Sequence, residues 1–141
     1  MEMRIAALMV SLVACGLAAS PLGCMVGVTA SPPVATATTG TLTVTWLMAG
    51  TTDSSLCAGY GADSLELAVY DSAGNEVTTV EAPCESFATT VELPEGRYTA
   101  NATLVDSALR ARSVTKPLSA IDIVAGTDLT IDLDFPTSSM L

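Results

Sequence analysis

The sequence predicts an all-β domain, an antiparallel β-sandwich of about seven strands and Greek-key type, behind an N-terminal signal segment and a short linker. Three observations predict it. Apolar and polar residues alternate with the period of two that places successive side chains on opposite faces of a strand. Clusters of Gly, Asp, Asn and Pro separate these runs at short intervals. Past the N-terminal segment, no window of about ten residues or more keeps the 3.6-residue period of a helix.

The strands follow in chain order. Leu42, Val44, Trp46 and Met48 alternate with Thr41, Thr43, Thr45 and Leu47. Leu65, Leu67 and Val69 alternate with Ser64, Glu66 and Ala68. Residues 71–75, Asp-Ser-Ala-Gly-Asn, have turn chemistry and predict a hairpin into a weaker strand at residues 77–80. Phe87, Thr89, Val91 and Leu93 form a further inward set. After Pro94-Glu95-Gly96, Tyr98, Ala100, Ala102 and Leu104 form another. Tyr98 stands at a strand start after a tight corner, where its hydroxyl is expected to cap backbone groups. Residues 112–115 and 121–124 are short, weak candidates. The last strand is the clearest: Leu129, Ile131, Leu133 and Phe135 face one way, Thr130, Asp132 and Asp134 the other.

The N-terminal residues have a different composition. Arg4 supplies a positive start, and residues 5–19 are nearly all apolar, the charged and apolar regions of a secretory signal. That stretch is short of the ~20 residues of a comfortable transmembrane helix. Ser20-Pro21 breaks it. Two cysteines compete as a lipidation site. Leu12-Val13-Ala14-Cys15 resembles the bacterial lipobox, and Leu22-Gly23-Cys24 has the Gly-Cys ending. Cleavage before Cys24 gives a signal of ordinary length and leaves no stray thiol, whereas cleavage before Cys15 leaves Cys24 unpaired. Cys24 is therefore the expected acylated residue, with Cys15 the alternative. In the bacterial lipoproteins this segment resembles, the lack of an aspartate after the cysteine implies sorting to the outer membrane. The expected organisation is a lipoprotein signal peptide over residues 1–23 and a flexible tether over 24–39. The sandwich then covers 40–136, and a C-terminal tail 137–141. The tether carries no charge and contains Pro32-Pro33. If flexible, it spans on the order of 20 Å.

Cys57 and Cys84 are left for the domain. Export implies an oxidising compartment, where paired cysteines form disulfides. Folding the hairpin about Ala73 brings Cys84 opposite residues 61–62, near Cys57. The closed loop is worth ~3–4 kcal/mol in the chain-entropy picture.

Composition narrows the chemistry. The 141 residues carry fifteen acids, five bases and no histidine, a net charge of −10. Removing Glu2 and Arg4 leaves that balance unchanged. A chain this acidic repels phosphate, so nucleic-acid binding is excluded as an expectation, as is docking on anionic lipid through a basic patch. Without histidine there is no Ser-His or Cys-His pair, and Ser54, Ser55 and Ser64 have no partner base in the sequence. Asp132 and Asp134 share a strand face about 7 Å apart and, with Asp128 or Asp122, are weak candidates for calcium. No loop has calcium-ligand spacing, and a solvated strand face explains the pair as well. Asp71, Ser72 and Asn75 are explained by the turn. Trp46 reads as core, with a sugar-stacking platform as the functional counterpart. Asn101-Ala102-Thr103 matches a glycan acceptor by coincidence.

Residues 67–75, Leu-Ala-Val-Tyr-Asp-Ser-Ala-Gly-Asn, and residues 91–99, Val-Glu-Leu-Pro-Glu-Gly-Arg-Tyr-Thr, resemble the carboxypeptidase-regulatory-like (prealbumin-like) sandwich domains. These pair a Val-Tyr-Asp-x-x-Gly hairpin with a Leu-Pro-x-Gly-x-Tyr turn. An Ig-like sandwich is the neighbouring form. The whole layout resembles uncharacterised lipoproteins of predatory and social soil bacteria. The resemblance supplies no functional residues; domains of this type mostly serve as structural or binding modules. The expectation is a lipid-anchored envelope interaction or structural module, without catalytic activity or cofactor. Its partners would be the membrane, through the N-terminal lipid, and an envelope protein or polysaccharide. A carbohydrate- or calcium-binding accessory domain is the alternative, and a carboxylate-only hydrolase a remote one.

Overall fold

A computed structural model describes residues 38–141. The signal, Cys15, Cys24 and all but the end of the tether lie outside the described residues. Seven strands form two sheets packed as a sandwich. One sheet has three strands, β4-β1-β7: β1 is Thr39–Met48, β4 Ala88–Pro94 and β7 Asp128–Phe135. The other has four, β3-β2-β5-β6: β2 is Ser64–Asp71, β3 Glu76–Pro83, β5 Gly96–Val105 and β6 Lys116–Ile123. The chain leaves β3 for the opposite sheet as β4, then returns as β5 beside β2, a Greek-key path.

Alternation becomes burial. Leu42, Val44, Trp46 and Met48 of β1, with Leu65, Leu67 and Val69 of β2, are fully enclosed. Ala100, Ala102 and Leu104 of β5 face them from the same core, with Leu93, Ile121 and Phe135. Among the described residues both strands that flank β1 are sheet edges, so Val91, Leu129, Ile131 and Leu133 are only partly buried, as is Phe87 just before β4. The Tyr98 hydroxyl donates to the Pro94 carbonyl at 2.9 Å, closing the corner between β4 and β5. Gly40 lies where a Cβ would stand 2.4 Å from the Val124 carbonyl oxygen, so the close approach of β1 to the β6–β7 turn requires glycine.

Four features differ from the expectation. β1 pairs with β7 in parallel, unbroken from Thr41↔Asp128 to Met48↔Phe135, whereas the other pairings are antiparallel. Inward–outward alternation is the same in either direction, so the pattern does not encode it. A seven-residue helix, α1, spans Ser54–Tyr60; two turns are too few for a period to show. Its signals are its caps: the Asp53 carboxylate accepts from the Ser55 N–H, and Gly61 takes the left-handed conformation at φ 67°. Residues 112–115 are not a strand, because Ser113 Oγ accepts the Leu104 N–H that a strand would have paired. Residues 137–141 pack on the domain: Thr137–Ser139 forms a 3-10 turn, the Val114 N–H donates to the Ser139 carbonyl, and Met140 touches the core. Among the described residues, no helix is long and apolar enough to cross a membrane.

Candidate functional site

Chemistry-bearing residues gather at one end of the sandwich. The Cys57–Cys84 disulfide joins α1 to the 3-10 turn Cys84–Ser86 that follows β3, with Cα atoms 5.9 Å apart. Both cysteines are nearly inaccessible. Trp46 is 1% exposed and donates its indole N–H to the Cys84 carbonyl at 3.1 Å. Its ring lies 6.4 Å from that of Phe87. The Met48 thioether sulfur contacts both disulfide sulfurs, at 3.5 Å and 3.4 Å. Disulfide sulfurs carry no proton, so these are packing contacts of polarizable atoms.

A shallow cleft of about 270 Å³ opens over the bridge, lined by Ser54, Ala58, Asp63, Pro83 and Glu85 with the two cysteines. Asp63 Oδ2 accepts the Ser107 N–H at 2.6 Å, and the Asp63 carbonyl accepts the Cys84 N–H at 2.9 Å. Asp63 therefore ties the loop after β5 to the disulfide turn. The cleft presents the carboxylates of Asp63 and Glu85 and the hydroxyl of Ser54.

Behind it, Asp106 is 4% exposed. Its carboxylate accepts the N–H groups of Arg110 at 3.0 Å and Ala108 at 2.9 Å. It also pairs with the guanidinium groups of Arg110 at 2.9 Å and Arg112 at 3.0 Å. The Arg110 N–H foremost, then the Ala108 N–H and the Arg110 side chain, lower its pKa from 3.8 to about 2, although burial acts to raise it. Arg112 Nε is buried without a partner, and Gly61 closes over this guanidinium, where a Cβ would lie 3.7 Å from Nε. Two of the domain's four bases are thus committed to one structural carboxylate. Sequence reasoning missed this network. Its signal was an Asp four residues before an Arg, flanking the turn at Leu109 (φ 58°).

The other predicted residues divide between the two sheets. Asp132 and Asp134 lie on the outer face of β7; Asp132 accepts the Thr45 hydroxyl, and Asp134 accepts the Gly50 N–H at 3.0 Å. Asp122 stands in the opposite sheet, paired with Arg97 at 3.0 Å. Among the described residues, no three carboxylates or cysteines gather to hold a metal ion. Asp71 Oδ1 accepts the N–H groups of Ala73 at 2.8 Å and Asn75 at 2.9 Å, and the Asn75 backbone and side chain hold its carboxyl below the usual range. Turn geometry uses that carboxylate. Buried Trp46 offers no face to a sugar.

No family model matches the chain, and no curated protein matches it. Among solved structures it is similar to the Bacillus anthracis TIE protein, at 18% identity and a TM-score of 0.45. The match covers 68% of this chain, which spans 17% of the length of that one.

Proposed function

We propose that this protein is a lipid-anchored interaction module of a bacterial cell envelope, with no catalytic activity of its own. Acylated Cys24 holds it in the membrane, most simply the outer membrane, and a short tether carries the sandwich. The observation that carries the reading is the Cys57–Cys84 disulfide. A buried cross-link forms and persists in an oxidising compartment, which a chain reaches by export. The charged and apolar segment before Cys24 supplies the export address. The pairing also leaves Cys24 as the one thiol of the mature chain, free for acylation. The acidity fits a soluble head that stands off anionic lipid rather than lying on it. The resemblance to prealbumin-like sandwich modules supports a binding role.

Mass spectrometry of the membrane fraction tests the anchor. The expected N-terminal peptide begins at an acylated Cys24, and Cys24→Ser releases the protein from the membrane. A soluble, unacylated mature chain overturns the reading. An acylated peptide beginning at Cys15 moves the anchor and predicts a titratable thiol at Cys24.

A further inference from the structure

We propose that the outer edge of β7 is a strand-addition site for an extended segment of a partner protein that alternates basic and apolar residues. The proposal deepens the interaction-module reading and rests on it.

The four sheet edges are not equivalent. β6 carries Lys116 and Pro117, and a bulge shifts its register where Ala120 takes φ 58°. β3 has a bulge of its own, at Val77, opposite the step from Val69 to Tyr70. β4 ends at Pro94 and runs close to β3 of the other sheet. Proline, bulges and charged side chains, lysine especially, blunt an edge against pairing. β7 has no proline, lysine or bulge; its charges are three outer-face aspartates, which repel an acidic strand and attract a basic one. Its eight residues run without a bulge, and its second side is unpaired among the described residues.

The two faces of β7 define what would pair there. On the inner face, Leu129, Ile131 and Leu133 are partly buried, while their β1 partners Leu42, Val44 and Trp46 are fully buried. Three apolar side chains thus have a covered neighbour on one side only. On the outer face, Asp128, Thr130, Asp132 and Asp134 are exposed. Residues opposite one another in a sheet share a face. An added strand would therefore place apolar side chains over Leu129, Ile131 and Leu133 and the alternate ones beside the aspartates. Lysine or arginine fits the latter positions. A second copy of this chain does not, because it would set aspartates against aspartates in a molecule of net charge −10.

The test uses the full mature chain and fluorescent octapeptides, one alternating lysine with valine and one alternating glutamate with valine. The lysine peptide is expected to bind at least roughly tenfold more tightly, with that advantage screened away at high salt. Amide hydrogen exchange should slow in β7 and not in β3, β4 or β6. Asp128→Lys with Asp132→Lys should transfer the preference to the glutamate peptide; Asp128→Lys alone, at an exposed side chain, should shift it part-way. Absence of binding, equal binding of the two peptides, protection elsewhere, or dimerisation through β7 in sedimentation overturns the proposal. Acylation of Cys24 is read separately: an acylated protein that ignores the peptide loses the edge site and keeps the anchor, and an unacylated protein that binds it loses the anchor and keeps the edge site.

Discussion

Removing the disulfide is the perturbation whose magnitude the structure sets most directly. Cys57 and Cys84 are separated by 27 positions. In the chain-entropy model, a loop of that size raises the free energy of the unfolded chain by about 3.5 kcal/mol at 25 °C. The bridge also fixes α1 against the turn before β4, and it supports the Trp46 bond to the Cys84 carbonyl and the Met48 contact. At roughly 4 °C per kcal/mol for a domain of about a hundred residues, the Cys57→Ala, Cys84→Ala chain should melt about 14 °C lower than the parent. Calorimetry and circular dichroism under non-oxidising and oxidising conditions measure this. Dithiothreitol should reproduce the shift in the parent and have no effect on the double variant. Urea titration should also show a larger m-value for the variant, because an uncrosslinked chain exposes more surface. A shift below about 4 °C, or an unchanged m-value, would refute the argument that the bridge acts on the unfolded chain.

Other outcomes follow from individual contacts. Tyr98→Phe removes the hydroxyl bond to Pro94 and should lower stability by about 1 kcal/mol in chemical denaturation. Gly40→Ala forces a Cβ against the Val124 carbonyl and should cost about 2 kcal/mol, whereas alanine at Gly59, inside α1 with open space at its Cβ position, should not destabilise. Asp106 is lowered from 3.8 to about 2 in the folded protein, so its contribution is present above pH 3.8 and is lost as pH falls through about 2. Asp106→Asn should therefore destabilise the protein at neutral pH and flatten the stability curve between those values, read by urea midpoints at each pH. Millimolar calcium should leave the melting temperature unchanged, because Asp132 and Asp134 have no third carboxylate beside them.

Much of the fold was legible locally. The alternation in residues 41–48, 64–69 and 98–104 named the core-facing residues, because a strand with one buried face admits one pattern. The disulfide was legible by cysteine count and hairpin register, and the Tyr98 corner by its turn. The end of the sandwich was less so. Helix α1 is too short for periodicity, and the Asp106 network joins residues whose roles are set by the loop after β5 folding under Gly61. The place of Asp122 relative to Asp132 and Asp134 was hidden for the same reason. Asp122 and Asp132 are near in sequence but occupy opposite sheets.

By itself, the sequence determined which side of the clearest strands faces inward and which cysteines join. Those are properties of adjacent residues and of pairing by elimination. Only the tertiary structure decided that β1 and β7 run parallel, that β7 is an edge among the described residues, and that Leu129, Ile131 and Leu133 are half covered. Side-chain alternation has no direction and does not number the neighbours of a strand. Those depend on how distant segments meet.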